Sequence, residues 1–197
     1  MNILVVDNYD SFVWNVVVLL RESEPACRLI VAKNDEVDLS LTDDYDGILL
    51  SPGPGVPSEA GLMPEVIRRC ADTHSILGIC LGHQAIAECF GARLEQLQAP
   101  LHGVQDRLLI VKPEDDLLRG LSSDESIGHY HSWTVAREGF PDCLEITSTD
   151  EAGRIMSLRH KTKRLYGLQF HPESYMTSCG EKIIRNWLRT IHESTRK

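Results

Sequence analysis

The chain has 197 residues, of which 42% are hydrophobic and 25% are charged, and its formal net charge is −9. This acidic balance comes without a basic stripe, which argues against nucleic acid or an anionic membrane as the main partner, because clustered Lys and Arg hold both. No apolar run reaches the roughly 18 residues that a membrane helix requires, and Met1 leads directly into a strand-like segment instead of a signal peptide. We therefore expect one soluble domain over residues 1–197.

Strands and helices alternate in the first half of the sequence. The predicted elements are a strand over 2–6, a helix capped by Asp10 or Ser11, strands over 28–32 and 47–50, a helix over 62–70 and a strand over 75–79. Such βαβ units build a parallel sheet with helices on both faces and place functional groups on the loops after the strands.

The second half adds shorter strands to this pattern. After a helix over 82–90 come predicted strands over 93–97, 107–111, 144–148, 155–158 and 165–170, several of them antiparallel, a basic hairpin loop over 159–164 and a closing helix over 181–191. The predicted fold is α/β and flavodoxin-like, with a central, mostly parallel mixed sheet flanked by helices and a smaller antiparallel sheet.

The six cysteines form no CxxC pair and no Cys/His cluster at zinc spacing, so we expect free thiols in a reducing cytoplasm and no metal. Cys80 differs from the rest because it stands in G-I-C-L-G, between a predicted strand and a predicted helix. That spacing is typical of a nucleophile elbow, in which glycines on either side relieve the crowding of a sharp turn. The positive end of the following helix favours the reactive thiolate. By itself the motif is weak, because a buried structural cysteine is commoner.

A cysteine nucleophile needs a base and a group that orients the base. His171-Pro172-Glu173 follows the predicted strand over 165–170, and proline keeps this segment extended, so His171 and Glu173 project to the same side. Glu173 can then fix the tautomer of His171 while the other ring nitrogen faces Cys80. An isolated H-P-E would more often be a strand end with a solvated glutamate.

The loop Pro52-Gly53-Pro54-Gly55 follows the strand over 47–50, which we expect to neighbour the strand that ends at Cys80. The alternative is a plain turn. If the loop borders the elbow, the amides of Gly53 and Leu81 can hold an oxyanion, one such donor being worth about 3 to 4 kcal/mol in comparable enzymes.

Taken together, G-I-C-L-G-H-Q at 78–84, H-P-E at 171–173 and S-P-G-P-G-V-P at 51–57 resemble the signature of class I (triad-type) glutamine amidotransferases. The segments V-V-D-N-Y-D-S-F at 5–12 and H-S-W at 131–133 are similar to those of the small glutaminase subunits of anthranilate synthase and aminodeoxychorismate synthase. The resemblance spans nearly the whole chain.

The resemblance implies that Cys80 attacks the side-chain amide of L-glutamine, that His171 moves the protons and that Glu173 orients His171. It also implies a set of residues that bind glutamine and its oxyanion. These are Gly53, Pro54, Gly55, Leu81, Gln84, Ser132 and Trp133. No cofactor is implied for this chain.

The resemblance further implies a partner, because the chain has no room for a domain that would use the ammonia. The expected partner is a chorismate-binding synthase subunit with its own magnesium, making anthranilate for tryptophan synthesis or aminodeoxychorismate for folate synthesis. We expect anthranilate synthase, with aminodeoxychorismate synthase or a subunit shared by both as the alternatives, although the sequence carries no physical discriminator between them.

Two positions of the chain depart from the family pattern, and a third holds a histidine next to a predicted site residue. The family often has a lysine after the central H-G, where this chain has Val104, and a smaller apolar residue where this chain has Trp133. His83 lies beside Gln84, and we expect it to be a structural hydrogen-bonding residue and not a second base.

Two other classes of function compete with this interpretation. A stand-alone cysteine hydrolase of the α/β-hydrolase type also uses an elbow, but its acid precedes its histidine by a long stretch, whereas Glu173 follows His171 by two residues. A non-catalytic binding subunit would be expected to have lost triad residues, and all three are present.

Overall fold

A computed structural model describes residues 1–122 and 124–194. The helices in chain order are α1 (Val13–Ser23), α2 (Met63–Cys70), α3 (Leu81–Cys89) and α4 (Gly180–Ser194). The strands are β1 (Asn2–Asp7), β2 (Arg28–Lys33), β3 (Gly47–Leu50), β4 (Ser75–Ile79), β5 (Leu94–Arg107), β6 (Leu109–Ile110), β7 (Ser126–Val135), β8 (Leu144–Thr149), β9 (Ile155–His160) and β10 (Leu165–Leu168). None of the described helices is both long and apolar enough to cross a bilayer.

The main sheet has eight strands in the order β2-β1-β3-β4-β10-β9-β8-β6. The first five strands are mutually parallel, and β9, β8 and β6 extend the sheet with antiparallel pairs. A separate antiparallel ribbon pairs β5 with β7. The predicted α/β fold with a mostly parallel mixed sheet and a smaller antiparallel sheet is confirmed.

The core is split into two layers by the alternation of side chains along the parallel strands. Ile3, Val5 and Leu49 face α1 and α4, where Trp187 is fully buried. The opposite face of the same strands packs against α2 and α3. Because helices cover both faces of these strands, the strands consist of continuous apolar residues, and the sequence therefore predicts them well.

Two segments differ from the predicted elements. The strand β7 was not predicted, because its sequence S-I-G-H-Y-H-S-W-T-V includes a glycine and two histidines and gives no clean apolar alternation. The structure buries His129 and His131 on one face of β7. The strand predicted over 93–97 is the start of the much longer strand β5, which has a bulge at Gly103. The strand predicted over 107–111 is present as the short strand β6, which pairs with β8 in the main sheet.

The start of α1 also differs from the prediction. Its N-cap is Phe12, and the Asp10 carboxylate accepts a hydrogen bond from the Phe12 N–H at 2.7 Å, before the helix begins. Asp10 therefore shapes the turn before the helix and does not cap its first turn.

The contact between α3 and the sheet depends on two glycines of the elbow. A Cβ on Gly78 would lie 2.4 Å from the Gly82 carbonyl, and a Cβ on Gly82 would lie 2.6 Å from the Leu50 carbonyl oxygen. Backbone atoms of a packed strand cannot move away as a flexible side chain can. Only glycine therefore allows the helix to begin so close to β3 and β4.

We predict that Gly82→Ala destabilises the fold by about 2 kcal/mol or more, because the overpacking outweighs the roughly 1 kcal/mol by which alanine favours a helix. Chemical denaturation monitored by circular dichroism measures this difference. Gly128→Ala is the comparison variant: its Cβ would lie 3.0 Å from the Met176 Cβ and the Ser174 hydroxyl oxygen, a milder contact than the 2.6 Å at Gly82. Equal stability of Gly82→Ala and the parent protein would contradict the prediction.

Candidate active site

A cavity of about 340 Å³ opens at the carboxyl ends of β3, β4 and β10, which are neighbours in the main sheet. This is the edge at which open α/β sheets bind ligands. The β7 strand of the ribbon supplies the opposite wall. The cavity is lined by most of the predicted site residues, namely Gly53, Pro54, Gly55, Cys80, Gln84, Ser132, Trp133 and His171.

Cys80 occupies the turn between β4 and α3 with φ 51° and ψ −98°, a backbone conformation that is strained for any residue other than glycine. Its amide donates to the carbonyl of Leu168 at 2.7 Å, which ties the turn to β10. The side chain is only 6% exposed and faces the cavity. The strained turn predicted from G-I-C-L-G is therefore present at Cys80.

His171 and Glu173 form a buried pair beside Cys80. The Nδ1 atom of His171 lies 2.6 Å from Oε1 of Glu173, and neither side chain is more than 2% exposed. Burial opposes the charged imidazolium, but the Glu173 carboxylate and the nearby Cys80 sulfur outweigh it and hold the pKa of His171 well above its usual range. At neutral pH the ring is consequently protonated.

Two aromatic rings hold the imidazole in place. Phe12 and Tyr130 meet the His171 ring edge-on, with centroids 5.5 Å and 5.0 Å away. The His171 amide also donates to the Gly128 carbonyl, and its carbonyl accepts from the Thr177 hydroxyl at 2.6 Å. The sequence did not single out Phe12 or Tyr130 for this role, although Phe12 closes the segment V-V-D-N-Y-D-S-F.

The loop after β3 borders the elbow, as predicted, because β3 and β4 are adjacent parallel strands. Gly53 packs so closely that a Cβ would lie 2.5 Å from Asn8 Cβ and 2.6 Å from a Leu81 methyl carbon. The Gly53 N–H donates to no acceptor within residues 1–122 and 124–194. Leu81 is the first residue of α3, where helical amides have no partner within the helix. Both residues therefore adjoin the Cys80 turn: Leu81 follows it in the chain, and Gly53 lies against the Leu81 side chain and lines the same cavity as Cys80.

Asn8 holds this loop, and sequence reasoning did not identify it. Its backbone N–H donates to the Ser51 hydroxyl at 2.9 Å and its side-chain amide to the Ser51 carbonyl at 2.8 Å. Asn34 in turn donates to Oδ1 of Asn8 at 3.0 Å. A buried asparagine can bridge three segments because its side chain carries both donors and an acceptor.

The wall opposite the loop is formed by Gln84 and β7. The Gln84 side-chain amide donates to the carbonyl of Trp133 at 2.9 Å, so its Oε1 acceptor is left for the cavity. Ser132 lies 3.4 Å from the ring of His102. Trp133 is half-buried, and Val104 is an exposed residue of β5 that is absent from the cavity lining.

His83 lies outside this cavity. It is fully buried, and its ring packs against the backbone of Gly167. Burial lowers its pKa to about 4, so the ring is neutral, and a contact with the Gly167 backbone opposes this shift only in part. This position fits a structural role.

A group of potential metal ligands lies elsewhere in the described part of the chain. Asp106, His129 and Asp150 bring ligand atoms within 4.8 Å of one another. The guanidinium of Arg154 bonds to Asp150 and lies 3.5 Å from Asp106. Because Arg154 already supplies the positive charge that a metal ion would bring, this group is best explained as an ion-pair network.

A family model for class I glutamine amidotransferases matches residues 4–191. The chain belongs to this family. Among curated relatives, anthranilate synthase component 2 of Mycobacterium tuberculosis is 40% identical over 193 residues, covering 95% of this chain and 82% of the relative. The aminodeoxychorismate/anthranilate synthase component 2 of Bacillus subtilis is 37% identical, with 97% of each chain covered.

The aminodeoxychorismate synthase component 2 of Escherichia coli is also 37% identical, covering 94% of this amidotransferase and 98% of the relative. Among solved structures, a protein from Thermoplasma acidophilum that is described provisionally as part of a GMP synthase superposes with a TM-score of 0.88. The two chains are 28% identical over 100% of this amidotransferase and 96% of the other. The likeness extends over the whole fold.

We predict that Glu173→Gln lowers the pH at which the His171 ring titrates by more than about one unit, because the carboxylate is lost and burial remains. Histidine NMR titration measures this shift, with the signal assigned by its loss in His171→Asn. Glu145→Gln is the control, since Glu145 pairs with Lys112 and Arg159 away from the site. An unchanged midpoint in Glu173→Gln would contradict the prediction.

The same pair sets the sign of a pH effect on stability. The pKa of His171 is raised on folding. The His171–Glu173 pair therefore makes its full contribution to the free energy of unfolding at a pH below about 6.5, the pKa of histidine in the unfolded chain. The contribution is lost as the pH rises through the raised pKa. Glu173→Gln should therefore destabilise the protein most at acidic to neutral pH.

Proposed function

We propose that this amidotransferase is a glutaminase subunit that hydrolyses L-glutamine with a Cys80-His171-Glu173 triad and delivers ammonia to a chorismate-binding synthase subunit, forming anthranilate synthase. The observation that carries the proposal is the 2.6 Å pair of His171 and Glu173 beside a strained Cys80 at the cavity floor. Anthranilate synthase is supported by the names of the relatives from Mycobacterium tuberculosis and Bacillus subtilis, which are 40% and 37% identical over nearly the whole chain.

In the first half-reaction the sulfur of Cys80, whose proton His171 already holds, attacks the side-chain carbonyl carbon of glutamine. A C–S bond forms, and the carbonyl electrons move to the oxygen, which the amides of Gly53 and Leu81 stabilise. When the oxyanion collapses, the C–N bond breaks and His171 protonates the departing nitrogen. Ammonia leaves and a γ-glutamyl thioester remains on Cys80.

In the second half-reaction water attacks the thioester while His171 removes a proton from it. The C–S bond breaks, the sulfur of Cys80 keeps the bonding electrons, the proton taken from water stays on His171, and glutamate departs. Glu173 keeps the imidazole in one orientation throughout, and its negative charge stabilises the imidazolium that is present before attack and forms again in the second half-reaction.

The cavity walls suit a small zwitterion such as glutamine. The Gln84 carbonyl oxygen can accept from an α-ammonium group, Ser132 offers a further polar contact, and Trp133 lines the same wall. Pro54 and Gly55 would close the loop over the substrate. We propose that this chemistry needs no cofactor from this chain, that it takes place in the cytoplasm within a single domain, and that any magnesium belongs to the partner.

Aminodeoxychorismate synthase is the second candidate assembly. The relative from Escherichia coli carries that name alone, and the relative from Bacillus subtilis carries both names. A single glutaminase subunit serving two synthases is therefore consistent with the same site, since the aromatic product is determined in the partner.

We predict that Cys80→Ser reduces glutamine-dependent synthesis by about 1,000-fold or more, because the nucleophile is lost. Ammonia-dependent synthesis by the partner subunit should be retained. The measurement is product formation by the mixed subunits with chorismate, magnesium and either glutamine or an ammonium salt. Cys89→Ser is the matched control, since Cys89 lies half-buried in α3 outside the cavity. Equal glutamine-dependent activity of Cys80→Ser and the parent would refute the triad.

The choice of partner is tested by adding each candidate synthase subunit from the same organism in turn and identifying the product. Our proposal predicts anthranilate with one partner. Aminodeoxychorismate alone would favour the second candidate, and both products would identify a shared subunit. Glutamate release with neither partner would indicate another ammonia acceptor.

A further inference from the structure

Gln169 is a buried polar residue at the active site that none of the predicted roles includes. It is fully buried between β10 and His171, and it lies behind the cavity wall instead of lining it. Its side-chain Nε2 donates to the sulfur of Cys80 at 3.6 Å. Its side-chain amide is therefore in direct contact with the atom that reacts.

Gln169 directly follows β10, on the same bent segment that carries His171. Because β10 is paired with β4, this segment leaves the sheet beside Cys80, and both Gln169 and His171 reach its sulfur. Phe170 between them points into the core and is fully buried. The sulfur therefore has an imidazole and an amide as neighbours, both supplied by one short segment.

The direction of the Gln169 amide is fixed by a chain of hydrogen bonds. The Trp133 carbonyl can only accept, so it selects the NH2 group of Gln84, at 2.9 Å. The same NH2 group also donates to Oε1 of Gln169, at 3.2 Å. With its oxygen engaged, Gln169 must present its own NH2 group to Cys80.

The Trp133 carbonyl is held from a second side. The Nδ1 atom of His131 lies 2.9 Å from this carbonyl oxygen and must carry a proton to donate to it. In a neutral ring the other nitrogen, Nε2, is then an acceptor, and it lies 3.1 Å from Nδ1 of His129. Burial first, then the neighbouring His129, lower the pKa of His131 to about 3, so this ring is neutral. The acceptor that orients both glutamines is therefore itself well fixed.

We propose that Gln169 is a further catalytic residue, whose N–H group holds the Cys80 sulfur in position and stabilises the negative charge on it before attack and after release. Hydrogen bonds to charged groups are stronger than neutral ones, and a buried site strengthens them. This inference rests on the proposed function only in taking Cys80 as the nucleophile.

The decisive variant is Gln169→Glu, which keeps the size and the acceptor oxygen but replaces the N–H donor by a carboxylate oxygen. In the complex with the synthase subunit, kcat for glutamine hydrolysis should fall about 10-fold to 100-fold. The KM for glutamine should stay within about threefold, because Gln169 does not line the cavity. A purely structural role would lower the amount of folded protein and leave kcat per folded molecule unchanged.

A second measurement needs neither glutamine nor the partner. Alkylation of Cys80 by iodoacetamide in the full chain, followed on its peptide by mass spectrometry, should slow about tenfold in Gln169→Glu. Because this rate does not depend on glutaminase activity, failure of the inference and failure of the proposed function are distinguishable. If Gln169→Glu is alkylated more slowly but the parent protein never hydrolyses glutamine, the inference about Gln169 stands and only the proposed function is rejected.

Asn186→Asp is the matched control, since it makes the same amide-to-acid change at a buried residue that donates to Leu117 and Arg119 in a remote part of the core. It should leave the Cys80 alkylation rate unchanged. If Gln169→Glu does not fold, as judged by thermal unfolding, Gln169→Met provides a donor-free side chain of similar length. A folded variant that lacks the donor and alkylates at the parent rate would overturn the inference.

Discussion

The site depends on one backbone constraint, the positive φ of 51° at Cys80. The turn is possible only because Gly78 and Gly82 let α3 begin against β3 and β4, where a Cβ would overlap backbone atoms at 2.4 to 2.6 Å. Burial of the sheet on both faces supplies the packing that holds this strain. The fold thus keeps a nucleophile at the start of a helix and facing a cavity.

The other groups reach Cys80 because of strand order. The strands β3, β4 and β10 are adjacent and parallel, so the loop with Gly53, the elbow and the segment from Gln169 to Glu173 all leave the sheet at the same edge. Hydrogen bonds then fix the orientation of these groups. Glu173 orients His171, and Asn8 holds the loop that carries Gly53.

The sequence predicted the parallel half of the fold because strands buried on both faces leave continuous apolar runs between glycines and prolines. It also predicted the encounter of Cys80 with His171, because H-P-E and the elbow are local signals. It did not predict β7, because two histidines, His129 and His131, interrupt the apolar alternation between Ile127 and Val135 on its buried face. Asn8, Tyr130 and Gln169 were missed because their roles arise from contacts between distant segments, which spacing along the chain does not record.

The central claim is that Cys80 carries the γ-glutamyl group during the reaction. The most direct test is to mix the protein and its synthase partner with glutamine, quench with acid within the first turnovers, and examine the peptide that contains Cys80 by mass spectrometry. Our account predicts a γ-glutamyl adduct on Cys80 that disappears as glutamate accumulates. Steady glutamate formation with the Cys80 peptide unmodified at every quench time would contradict it.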